Sequence, residues 1–232
     1  RLHGDDTTVP VLAKGTTDIA RLWVYARDDS PSPEPIRRQR FSTTPVIAAA
    51  SIHERTRIMV RILQADAYGG YGELYAAGRQ PGPVLEAGCF AHARRKFFEL
   101  ADVAAAARRK SRGERAGMIY PIALEAVKRL DALFDIERGI SCKSAAERLA
   151  VRQELSAPLI AELHVWLTIS RKLSRNHELA KAINYMLRRW DAFTRFLDDG
   201  RICITNNAAE RALRCVPLGR KAWLFCGSDR GG

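Results

Sequence analysis

Short apolar runs rich in β-branched and aromatic residues mark the first third of the chain, and helical spacing marks most of the remainder. Thr8-Val9-Pro10-Val11-Leu12 and Arg21-Leu22-Trp23-Val24-Tyr25 read as strands. Lys14-Gly15-Thr16-Thr17-Asp18 between them has turn chemistry, so the pair predicts a hairpin. Residues 28–45 are polar and proline-rich and read as a loop, followed by a strand or short helix at Val46–Ser51. Ile58-Met59-Val60-Arg61-Ile62-Leu63 reads as a buried strand that runs into Asp66, and Gly69-Gly70-Tyr71-Gly72 turns the chain.

From Cys89 onward the period changes. Ala91–Arg109 and residues 118–138, 143–168 and 176–198 carry apolar positions at helical spacing. Ser156-Ala157-Pro158 and Ser174-Arg175-Asn176 read as helix breaks or starts. Asp199-Gly200 ends the block. Arg201-Ile202-Cys203-Ile204 suits a short strand, and Thr205-Asn206-Asn207 suits the cap of a helix carrying Glu210. Trp223-Leu224-Phe225 suits one more strand. There are no internal repeats and no low-complexity tracts. The order β, α, β/α predicts an α/β domain interrupted by an all-helical insertion: residues 1–90, then 91–199 as the insertion, then 200–232.

Composition refines this picture. Apolar residues make up 47% of the 232 and charged residues 28%, a globular balance that argues against global disorder. The net charge of +12 suits a polyanionic partner, nucleic acid or an anionic membrane face, with a merely solvated basic surface as the plain alternative. No apolar run reaches the roughly 20 residues that span a bilayer, and no signal peptide is visible. Lacking an initiator Met, the chain reads as a fragment of a longer protein. Five scattered cysteines without a CxxC suit reduced thiols.

Three groups of residues suggest chemistry. Asp5 and Asp6 sit on a strand, where neighbours point to opposite faces, so only one can serve a given site. Asp66 follows an apolar strand, and Glu210 lies early in a helix beside Arg211 and Arg214. Three carboxylates from distant positions can hold hard cations such as Mg²⁺ for phosphoryl chemistry; solvated surface acids are the plain alternative. Cys89 and His92 have CxxH spacing without a second pair, which fits a packed turn at a helix start better than a zinc site. Arg94, Arg95 and Lys96 come next, able to grip phosphate or to form a solvated face, while Phe97, Phe98 and Leu100 read as core. Capping accounts for one of Asn206 and Asn207 but not both, and Glu210 with Arg214 at i,i+4 suits a helix ion pair.

Taken together, five stretches resemble the catalytic region of bacterial insertion-sequence transposases of the sixty-six family, a branch of the DDE transposases. They are His3-Gly4-Asp5-Asp6-Thr7 with Val9–Leu12; Arg21–Tyr25 with Arg27-Asp28-Asp29; Leu63–Tyr68; Cys89–Phe97; and Asn206–Arg214, leading into Gly219-Arg220-Lys221 and Leu224–Ser228. The resemblance implies a ribonuclease-H-like mixed sheet interrupted by a helical insertion. It implies strand cleavage and transfer at transposon ends, dependent on Mg²⁺ or Mn²⁺ and using two ions. It places the catalytic, metal-holding acids on Asp5, Asp66 and Glu210, with Arg94, Arg95, Lys96, Arg211, Arg214 and Lys221 on DNA, and with Cys89, His92, Asn206 and Asn207 as structural or substrate-positioning groups. The implied partners are DNA and further copies of the chain, with no membrane, in the bacterial cytoplasm at the nucleoid.

Residues 36–62 depart from the family pattern. A local frameshift is one explanation, and it predicts a damaged central sheet. A remnant that binds DNA without catalysis and another ribonuclease-H-like nuclease are the competing functions.

Overall fold

The computed structural model describes residues 1–13, 15–26, 39–45 (as backbone), 61–66, 69–80, 82–101, 111–113, 120–173 and 177–214. The chain divides into two compact units, one formed by Arg1–Ala87 with Thr205–Gly232 and one by Gly88–Ile204.

The first unit is built on a five-stranded sheet. Strands β1 (Leu2–Ala13) and β2 (Thr16–Ala26) form the expected hairpin, pairing antiparallel from His3↔Ala26 to Ala13↔Thr16. Gly15 turns it with φ of 75°, a left-handed conformation that costs glycine little. Strand β3 (Gln39–Pro45) adds antiparallel to β2. Strands β4 (Ile62–Gln64) and β5 (Leu85–Ala87) add parallel on the other side of β1. The order is β3-β2-β1-β4-β5, a continuous mixed sheet among the described residues; most of the stretch 36–62 lies outside them.

The loop expected over 28–45 is therefore corrected at its end. Residues 39–45 pair with β2 as the edge strand of the sheet, where a polar sequence and a terminal proline are tolerated because one side needs no ladder bonds. Val46–Ser51 and residues 58–60 lie outside the described residues, and the turn expected at 69–72 is instead a 3₁₀ helix, Gly69–Tyr75.

Both faces of this sheet are covered. Val9, Val11, Ala20, Leu22, Val24 and Ala26 pack with Ala208, Ala212 and Leu213 of the helix Asn207–Leu213, which is α7 in chain order. Trp23, Tyr25, Leu63 and Ala65 pack on the opposite face with Tyr71 and Leu74 of the 3₁₀ helix. Trp23 and Tyr71 meet edge to face, with centroids 5.2 Å apart.

The second unit is helical: α1 (Phe90–Ala101), α2 (Pro121–Gly139), α3 (Ala145–Val151), α4 (Ala157–Leu173), α5 (His177–Leu187) and α6 (Trp190–Thr194). Pro121 sits at the start of α2, where its missing N–H is unneeded. Ser144 and Glu147 form a reciprocal capping box on α3. Phe90 stands edge to face with both Phe193 and Phe196 at the centre of the unit.

Ser156-Ala157-Pro158, expected as a helix break or start, is where α4 begins, but the chain does not leave the helix there. A π-helical turn, Arg152–Ser156, joins α3 to α4, and the Ala157 N–H bonds the Arg152 carbonyl five residues back. The widened turn accommodates Pro158, which lacks an N–H and would otherwise clash with the preceding turn. Arg152 is fully buried there. It donates to both oxygens of Glu137 (2.6 and 2.8 Å) and to the carbonyls of Phe196 and Asp199.

Three further expectations change. Arg201–Ile204 forms no strand: Ile202 and Ile204 are buried by packing without joining a ladder. Phe98 is 45% exposed, with the Arg94 guanidinium over its ring, whereas Phe97 is core as expected. The strand β5, three residues long, had no sequence signal. Ser174-Arg175-Asn176, residues 102–110 and Trp223–Phe225 lie outside the described residues.

Candidate active site

The hairpin register decides which aspartate faces which way. Asp5 stands opposite Val24 and Asp6 opposite Trp23. Cross-strand partners share a face, so Asp5 lies on the face of Val9, Val11 and Val24, the face that α7 covers. Asp6 lies on the other face, where Arg21 pairs with it.

Glu210 is carried by α7 itself. The helix is alanine-rich where it meets the sheet, and Ala208, Ala209 and Ala212 let it approach closely. Asp66 comes two residues after Gln64, which pairs with His3 across β1 and β4. The Ala65 N–H bonds the Ala87 carbonyl, so the extended backbone continues past the end of β4. Alternation then returns Asp66 to the face of Gln64, His3 and Asp5.

Electrostatics register the same convergence. Asp5 has its pKa raised from 3.8 to about 7, first by burial and then by the negative charges of Asp66, Glu210 and Asp6, while a hydrogen bond from the Asp6 N–H (2.9 Å) opposes the rise. One oxygen of Asp66, Oδ1, is buried with no hydrogen-bond partner in the protein. A half-buried group of acids with an unsatisfied carboxylate oxygen is a fit for a divalent cation. Among the described residues, no group of three or more His, Cys, Asp or Glu side chains stands close enough together to hold a metal ion.

The two asparagines have separate surroundings. Asn206 occupies the N-cap position of α7, but its side chain makes no capping bond. It is fully buried, and its Nδ2 donates to the Gly4 carbonyl at 2.7 Å. Asn207 is exposed in the first turn. Capping by these side chains, expected from the sequence, is thus replaced by a tie between α7 and β1. Arg211 and Arg214 are exposed, and Lys221 lies outside the described residues.

The remaining candidates belong to the helical unit. Arg94 grips Asp131 through two bonds (2.6 and 3.1 Å). Lys96 lies 4.6 Å from the Tyr185 ring centre, and Arg95 is exposed. Cys89 is a buried free thiol just before α1, with its carbonyl accepting from the Ala93 N–H, and His92 is half-buried.

Two residues escaped the sequence reading. His3 and Gln64 are almost wholly buried polar side chains on the face of the acids. The available signal was strand alternation: His3 precedes Asp5 by two residues, as Gln64 precedes Asp66.

Comparison with known proteins adds the family. Residues 1–232 match the family described as Transposase IS66 family. Over its full length the chain is 51% identical to the uncharacterized protein y4hP of Sinorhizobium fredii (strain NBRC 101917 / NGR234) and 35% identical to the uncharacterized protein y4qI of the same organism. It spans 42% of the length of each. No solved structure matches. No helix among the described residues is long and apolar enough to cross a membrane.

Proposed function

The chain belongs to the IS66 family of transposases, and on that premise we propose that it is a catalytic region that cuts and joins DNA strands during transposition, with Asp5, Asp66 and Glu210 as its metal-holding acids. The observation that carries the reading is the shared sheet face. Register puts Asp5, not Asp6, beside the helix bearing Glu210, and the charges of Asp66 and Glu210 act on Asp5. The strand order, with three antiparallel strands followed by two parallel ones, supports the ribonuclease-H-like assignment.

In this reading the three acids hold two Mg²⁺ or Mn²⁺ ions. Bound there, the ions supply Lewis-acid assistance to an in-line displacement at a phosphodiester. The chain's own residues do the rest. Asp5 would hold a cation through its carboxylate. Asp66 offers its unsatisfied oxygen. The tie from Asn206 to β1 holds the Glu210 helix against the sheet. Arg211 and Arg214, exposed on the same helix as Glu210, contact the DNA backbone, with Arg95, Lys96 and Lys221 as further phosphate contacts. Arg94 is committed to Asp131 and contributes less.

The test is Mn²⁺- or Mg²⁺-dependent nicking of transposon-end DNA by the full-length protein and its Asp66→Asn variant. Nicking that disappears in the variant supports the assignment. Unchanged nicking overturns it, and salt-sensitive DNA binding without any nicking identifies a binding remnant.

A further inference from the structure

We infer that Asn206 is a positioning residue that sets the placement of Glu210 against Asp5, and that it does so as a strand anchor and not as a helix cap. The inference rests on the proposed acid site and specifies what holds it together. Asparagine at an N-cap position ordinarily turns its side-chain oxygen onto the first free N–H groups of the helix. Asn206 makes no such bond, although the backbone N–H groups of Ala209 and Glu210 reach its carbonyl. Its amide group instead donates to the Gly4 carbonyl, at 2.7 Å and fully buried, bridging 202 positions of sequence.

The location of the acceptor gives the bond its significance. Gly4 immediately precedes Asp5, and Asn206 precedes Glu210 by one helical turn. One hydrogen bond therefore ties the backbone beside one acid to the start of the helix that carries another. Gly4 also sits in a tight place. A Cβ there would meet Leu63 Cδ1 and the Tyr71 hydroxyl at 3.2 Å each, so the strand has little room to shift on the side away from α7. The helix is pinned to a part of β1 that Leu63 and Tyr71 back closely. Removing the donor takes this buried bond from the Gly4 carbonyl and frees the helix to slide over its alanine face. Asn207, exposed on the next residue, shares none of these contacts.

Replacement by serine separates the two roles, because serine caps helices about as well as asparagine but is too short to make the same bridge. The experiment compares the full-length protein with Asn206→Ser, Asn206→Ala, Asn207→Ala and Asp66→Asn. Two readouts are used: amide hydrogen exchange across residues 207–213, and Mn²⁺ affinity by calorimetry. Exchange across 121–139 in the helical unit serves as the check that each variant is folded. Both Asn206 variants are expected to speed exchange in α7 at least about tenfold, the loss expected for one buried hydrogen bond, and to weaken Mn²⁺ binding, with Asn207→Ala like the parent. Serine behaving like the parent, with only alanine impaired, would show a cap and overturn the inference. So would protected exchange in both Asn206 variants. If the parent binds no Mn²⁺, or Asp66→Asn binds it equally well, the acid site itself fails. Faster exchange in α7 would then still report the anchor, while its role in placing a metal ligand would be overturned with the site.

Discussion

Arg21 reaches diagonally across the hairpin to the Asp6 carboxylate, so the second of the two adjacent aspartates already has a cation of its own on the face away from α7. On the proposed reading the pair divides the two acids by task. Asp6→Asn is expected to keep DNA nicking within a few-fold of the parent and to change stability little, because burial of the Asp6 carboxylate, which raises its pKa, offsets the pairing with Arg21. Asp5→Asn is expected to abolish nicking. Parallel nicking and thermal-unfolding measurements on both variants check the division; loss of nicking in Asp6→Asn alone would reverse the assignment.

The raised pKa of Asp5 predicts that stability, and metal binding at the proposed site, depend on pH. Its folded value, about 7, lies above the ordinary 3.8. The stabilisation that goes with the protonated form is therefore complete below about pH 4 and is lost as pH rises through about 7. In metal-free protein, Asp5→Asn should melt above the parent at about pH 8 and level with it at about pH 4. Mn²⁺ affinity of the parent should rise through the same window, because binding displaces the Asp5 proton. Melting curves and calorimetry in buffers of different ionisation enthalpy report the two effects.

Arg152 is the buried charge on which the helical unit depends. Arg152→Met removes both bonds to Glu137 and the donor to two backbone carbonyls, leaving Arg148 as the remaining partner of Glu137. Breaking one side of such a buried pair costs about 3–5 kcal/mol. Denaturant unfolding followed by hydrogen exchange should place the loss in residues 120–173 and 177–200, with the sheet strands less affected.

Arg211 and Arg214 are predicted to act on DNA as charges. Replacing both with alanine should weaken binding to all sequences alike and make the slope of log affinity against log salt shallower by about 2. Titrations at several salt concentrations measure the slope. A variant with the parent's slope would remove these two residues from the DNA surface.

Sequence patterning revealed the elements whose stability is local or strongly apolar. The β1–β2 hairpin has runs of Val, Leu and Trp around a glycine turn, and α1, α2 and α5 have long helical periods. Strands made by pairing alone were hidden. β3 is polar because it is an edge, and Leu85-Glu86-Ala87 is too short to show a period. Ile202 and Ile204 imitate a strand because burial, not pairing, selects their side chains. At the site, the choice of Asp5 over Asp6 came from family resemblance; register adds that Asp5, and not Asp6, shares the sheet face that α7 covers. The Arg94–Asp131 pair, separated by 37 positions, and the Asn206–Gly4 bond, separated by 202, leave no local pattern to read.

The sheet unit is assembled from two stretches of chain with the helical unit between them, and this has a consequence during synthesis. Strands β1 to β5 are made first, while α7, with Glu210, emerges only after residues 88–204. At ribosomal speeds of about 5–20 residues per second, the interval between Asp66 and Glu210 is roughly 7–30 s. Through that interval the valine and leucine face of the hairpin lacks its helix, and two of the three acids lack the third. On the proposed reading, a nascent chain of this design cannot complete its acid site until α7 has been made.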